Sequence, residues 1–330
     1  MIASVLHRAA GLTIAADRAL PGFVPLADSP SGGSVHGPAN DKDVRMHLET
    51  RPHWHGVPVV LVHRSSNLDT YGQPVVTVSR SAEGFHFSYA DGTRVWIDGR
   101  GTDVWCTWPS TASLEDTCTY LCGPILGLVL RLRGSLAFHA SAVQFGAAAI
   151  GFVGPHGAGK STLAAALAAR GCAIVTDDVL HVRREGSAWL AEPFASMLKL
   201  WPDGAELALQ RSDLPRIAAG WDKRALVPDD RIPAVDDALP LAALFCFAEP
   251  AARPGIEPIP AASALVRLAA DTSAAHLLDR EMRAAEFQAL AALVRDIPCW
   301  SLTPPDSPRD HPRFVDQILV WGRDCGHAAG

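Results

Sequence analysis

Three absences bound what this chain can do. Its 29 lysines and arginines are outnumbered by 35 acids, for a formal net charge of −6. It therefore has no broad cationic surface for a nucleic-acid backbone or an anionic membrane, and neither is expected as a partner. Its longest apolar runs, such as 124–130 and 147–153, fall well short of the ~18 residues a membrane span needs. Its N-terminal stretch is interrupted by His7, Arg8, Asp17 and Arg18, which breaks up a signal-peptide apolar core, so a cytoplasmic location is expected. The seven cysteines include no Cys-x-x-Cys pair, which argues against a disulfide scaffold. Cys118 and Cys122 share one face of an expected helix and read as core packing rather than as metal ligands.

What is present is ample apolar material. Of 330 residues 48% are apolar and 19% charged, enough for one large or two ordinary domains. The first, over 1–125, is β-rich. Short β-type runs begin at Val57, Pro74, Gly84, Thr93 and Thr102, with Asp91-Gly92 and Asp98-Gly99 between them as turns, and this pattern predicts antiparallel hairpins. The Ser, Gly and Pro-rich stretch from Leu26 to Asp43 reads as a mobile loop. A helix is expected from Leu114 to Arg131, interrupted at Gly123-Pro124.

The second domain, 126–330, has α/β character. "LAFHASAVQFGAAAIGFVG" from Leu136 reads as two apolar strands joined by a turn near Phe145-Gly146. An Ala-rich helix ended by Gly171 and the strand "CAIVT" follow. Beyond Glu192 the chain is Pro-rich and less regular, with a buried strand expected in "PLAALFCFAE" from Pro240. Late helices are expected around Glu281–Arg295, with Phe287, Leu290 and Val294 on one face, and around Phe314–Trp321.

The chemistry concentrates between those strands. Gly154, Pro155, His156, Gly157, Ala158, Gly159, Lys160, Ser161 and Thr162 fit G-x-x-x-x-G-K-S/T in full, after an apolar strand and before a helix. Such a loop binds nucleotide phosphates: its N–H groups and the helix N-terminus face the oxygens, Lys160 reaches the β and γ phosphates, and Ser161 can ligate Mg²⁺. A helix of about 15 Å at ~1.5 Å per residue, followed by a strand of about 16 Å at ~3.3 Å per residue, returns the chain to its starting edge. Asp177 and Asp178 then emerge beside the loop, at the strand end where parallel sheets bind ligands. Neighbouring strand residues face opposite ways, so the pair is expected to divide its work. Asp177 is favoured as general base and Asp178, with Ser161, as metal ligand, with the reverse assignment left open. Counting back from the hairpin turn places His139 opposite Phe152, where it would orient or charge an Asp.

"FHASAV", the phosphate loop and "TDD" together resemble the HPr serine kinase superfamily, over about Leu136 to Val182. "TDDVL", "LKLWP", "DKR" and the N-terminal "GLTIAADRALPGF" are most similar to its members in bacterial peptide-tailoring clusters, including lasso peptide precursor kinases. The resemblance implies a P-loop kinase core like the HPr kinase C-terminal domain, with a smaller β-rich N-terminal domain. It further implies ATP and Mg²⁺ as cofactors, catalytic roles for Asp177, Asp178, His139 and Lys160, and a ribosomal precursor peptide phosphorylated on its C-terminal serine. Where the superfamily has an acidic segment after the Asp pair, this chain has "MLKLWPDG" with Lys199, so HPr itself and phosphorylase activity are not expected. Lys199, Lys223 and Arg224 are candidate substrate-side residues, Lys223 and Arg224 for the acceptor or the transferred phosphoryl and Lys199 near the metal position vacated by the missing acid, with Trp201 and Trp221 as apolar neighbours.

Two other readings stay open: a P-loop kinase of another protein or a small molecule, and a P-loop ATPase switch with Glu249 as a distal acid. No N-K-x-D guanine-reading motif is present. A homo-oligomer is compatible with the composition.

Overall fold

The computed structural model describes residues 4–26, 43–194, 197–251 and 253–326. All but the first and last residues of the Ser, Gly and Pro-rich stretch lie outside them. The chain divides into two compact units, Met1–Arg133 and Gly134–Gly330.

The first unit is built on a nine-stranded sheet. The five β-type runs of the sequence form Val60–Arg64, Val76–Arg80, Gly84–Tyr89, Arg94–Asp98 and Asp103–Thr107. Each pairs antiparallel with the next. Helix Leu114–Tyr120 starts at Ser113, whose hydroxyl and backbone form a reciprocal capping box with Asp116. Gly123-Pro124 does not break the helical path. Residues Leu121–Ile125 open into a π-helical turn, and helix Leu126–Leu132 continues directly from it. A widened turn tolerates the missing proline N–H. Cys118 and Cys122 are buried, as core packing requires.

The second unit centres on strand Ala148–Val153. It runs parallel to the long strand Leu239–Phe247, which is in turn parallel to Cys299–Thr303. Strand Ala140–Phe145 is antiparallel to the central one and pairs with Ile174–Thr176 on its other side. Alternation along the long strand feeds two cores. Ala243 and Phe245 join a cluster with Leu163, Leu167, Phe314 and Ile318, whereas Leu244 and Cys246 join one with Leu268, Leu290 and Leu293. Helices therefore cover both faces of the sheet, an α/β arrangement. Helix Arg280–Asp296 buries Leu290 and Leu293 and leaves Phe287 58% exposed, so the buried stripe lies to one side of the one expected. The last helix spans His311–Gly326. Among the described residues no helix is long and apolar enough to cross a membrane.

The apolar stretch from Leu136 differs from the expected hairpin. It makes three strands, because Leu136–Phe138 pairs with Leu180–Val182 instead of continuing into Ala140–Phe145. His139 sits at the switch, its N–H bonded to the Asp271 carbonyl at 3.0 Å. The residue opposite Phe152 is accordingly Ser141, not His139.

Candidate functional site

Two glycines allow the phosphate loop to turn into its helix. Gly157 and Gly159 have φ of 82° and 95°, in the left-handed region that side chains resist. Gly154 is fixed by packing, since a Cβ there would lie 2.8 Å from Phe247 Cβ. Helix Lys160–Ala168 begins immediately after Gly159 and points its N-terminus into a cavity of about 560 Å³. Residues His156 to Thr162 line this cavity with His139, Asp177, Asp178, Lys199 and Lys223, so the structure brings these sequence candidates together at one site.

Lys160 is more enclosed than a solvated loop residue, at 5% exposure. Its ammonium donates to the carbonyls of Gly154 and Pro155, both at 2.8 Å. Burial pushes its pKa down to about 8, against the opposing pull of Asp271, Asp177 and Asp178. Anionic phosphates would restore the charged form. Nucleotide affinity is thus expected to be flat below about pH 8 and then to fall by up to about tenfold per pH unit, until the pKa of the bound state is reached. Calorimetry across pH 6.5–9.5 checks this, and Lys160→Met should remove the fall. His139 and His156 are both pushed below the usual histidine range, chiefly by burial.

The two acids occupy different environments. Asp177 is buried, and its Oδ1 accepts from Ser161 Oγ at 2.7 Å and from Ser141 Oγ at 2.6 Å. Its Oδ2 accepts from the Lys199 backbone N–H at 2.9 Å. Asp178 sits at φ 67°, where the Val179 N–H bonds back to the Asp177 carbonyl at 2.9 Å in a three-residue γ-turn. That geometry is strained for a residue with a Cβ, and strain of this kind gathers at functional sites. His139 holds the turn, its Nδ1 lying 3.2 Å from the Asp178 carbonyl. A carbonyl only accepts, so Nδ1 carries the proton and Nε2 keeps its lone pair. The imidazole therefore orients the pair through the backbone and not through a carboxylate.

Asp178 Oδ2 meets Lys199 Nζ at 2.8 Å. Burial raises the carboxyl's pKa, but Lys199, Lys223 and His139 outweigh it and hold the group well below the usual carboxylate range. Lys199 is thus turned inward onto the acid, not out toward an acceptor. Lys223 does line the cavity, with its ammonium 5.7 Å from the centre of the Trp201 ring. Arg224 lies in strand Arg224–Leu226 and is not among the lining residues. Trp221 and Glu249 are also absent from the lining, and Glu249 is exposed.

Ser161 Oγ and Asp177 Oδ1 form a hard oxygen pair at the start of the loop helix, which suits Mg²⁺. Among the described residues no group of three or more His, Cys, Asp or Glu is placed to hold a metal alone. The set fits an ion that brings phosphate oxygens and water as its remaining ligands. Ser141 was missed by sequence reasoning; the only signal was a hydroxyl inside an otherwise apolar strand.

No protein-family model matches the chain, and no curated protein matches it. Among solved structures it is similar to the Hpr(Ser) kinase/phosphatase from Coxiella burnetii. The identity is 14% and the TM-score 0.29, over 57% of this chain and 95% of that one. A similarity at that level leaves the chemistry to be read from the site itself.

Proposed function

We propose that the chain is an ATP-dependent phosphotransferase acting on a hydroxyl acceptor, namely a serine of a peptide. One observation carries the reading: the phosphate loop's own serine is bonded to Asp177 while Asp178 opens into the same cavity. Two carboxylates at the phosphate end of the loop suit group transfer, one for the metal side and one for the incoming hydroxyl.

Here the acids take the reverse of the assignment favoured from the sequence. Asp177, tied to Ser161, belongs with the ion, and Mg²⁺ bound there would neutralise charge across the β and γ phosphates. Asp178 aims the acceptor hydroxyl with the carboxylate oxygen not engaged by Lys199 and takes its proton late, as a loose phosphoryl-transfer transition state demands. Lys160 stabilises charge on the departing phosphates. His139 keeps the γ-turn that presents Asp178. Glu249, exposed and not lining the cavity, lends the ATPase-switch reading no support.

Of the three candidate cations, Lys199 and Lys223 line the cavity and Lys199 is engaged with Asp178, which makes Lys223 the candidate for the acceptor. Its platform, Trp201, is 44% exposed, which suits an extended peptide end. We assign the acceptor as the C-terminal serine of a precursor peptide, its carboxylate met by Lys223. The test is a KM comparison between a serine-ended peptide and its C-terminal amide. Amidation should raise KM several-fold for wild type and have little effect on Lys223→Gln, with ATP affinity unchanged. An equal amidation penalty in both proteins would remove Lys223 from the acceptor site.

A further inference from the structure

Lys199 spans both acids: its backbone N–H serves Asp177 Oδ2 and its ammonium serves Asp178 Oδ2. The local fold sets this up. Strand Leu198–Leu200 pairs with Arg224–Leu226, and Leu198 and Leu200 are buried in the core beneath the phosphate-loop helix. Alternation then forces Lys199 to the opposite side, where the acids are. The ion pair is shielded, with side-chain exposures of 11% for Lys199 and 16% for Asp178. An ammonium in that position and a divalent cation on the same carboxylate oxygen would repel at short range in a weakly screened site.

From this juxtaposition we infer that Lys199 is a built-in cation at Asp178, so that the nucleotide-loaded site holds one divalent ion, on the Ser161–Asp177 side, and never a second on Asp178. The inference rests on the phosphotransferase reading and specifies its metal count. It assigns Lys199 a positioning role, since it acts on the acids and not on the acceptor.

The test counts Mn²⁺ bound per chain by electron paramagnetic resonance, with the chain loaded with a stoichiometric amount of a non-hydrolysable ATP analogue. Wild type should bind one ion. Lys199→Gln, which keeps an amide on Asp178 but removes the charge, should admit a second, weaker ion. Adding Asp178→Asn to that variant should return the count to one. Lys199→Arg should stay at one, and it serves as the second variant if Lys199→Gln does not fold. Two ions in wild type or in Lys199→Arg overturn the inference, as does a count of one in folded Lys199→Gln. A chain that binds no analogue overturns the phosphotransferase reading and this inference with it, which separates the two failures.

Discussion

Lys160→Met is expected to lower phosphoryl transfer by on the order of 10³-fold or more, because it removes the charge that meets the departing phosphates in a desolvated site. The fold should survive. Lys160 is 5% exposed and its burial disfavours the ammonium strongly enough to bring the pKa to about 8, so an apolar side chain of similar length relieves a desolvation cost. A melting temperature at or above wild type, with transfer lost, is the expected pair of results. Transfer at wild-type rate would mean that the loop does not handle a nucleotide. A collapsed melting temperature would mean that the ammonium's bonds to the Gly154 and Pro155 carbonyls hold the loop together.

The second large effect separates the acids. Asp178→Asn should cut kcat by on the order of 10²-fold or more, with nucleotide affinity and the Mg²⁺ requirement close to wild type, since it takes away the group that aims and deprotonates the acceptor. Asp177→Asn should instead raise the Mg²⁺ concentration needed for half-maximal rate, because Ser161 loses its anionic partner in the metal shell. Steady-state rates over a Mg²⁺ titration of both variants decide the matter. The reverse pattern would restore Asp177 as base and Asp178 as ligand, and identical patterns would mean that the two acids act as one unit.

How much of this was legible in the sequence depended on the range of the interaction. The phosphate loop is a local pattern, and its glycines, lysine and serine fall where the motif puts them. The return of the chain to place Asp177 and Asp178 beside it followed from helix and strand rise alone. Contacts between segments distant along the chain were not legible. Ser141 reaches Asp177 only because Ile174–Thr176 pairs with Ala140–Phe145, a choice of partner that periodicity does not encode. His139 read as one more residue of an apolar strand, whereas the chain changes partner strands at that position. Strand alternation assumed that Asp177 and Asp178 were still in extended conformation. Asp178 has left the strand for a γ-turn at φ 67°, so both acids reach the same cavity. Lys199 was placed near the acids by the resemblance, but its pairing with Asp178 depends on which way a short hairpin faces, which the burial of Leu198 and Leu200 decides.

The central claim is that this site transfers the γ-phosphoryl group of ATP to a hydroxyl and not to water. Phosphorus NMR of the chain with ATP, Mg²⁺ and a serine-ended peptide follows both fates in one sample. The account predicts a phosphate monoester resonance on the peptide growing in step with ADP, absent when the serine is replaced by alanine and absent with Lys160→Met. ADP and inorganic phosphate forming at the same rate with and without any hydroxyl acceptor would contradict it and identify the chain as a nucleotide hydrolase.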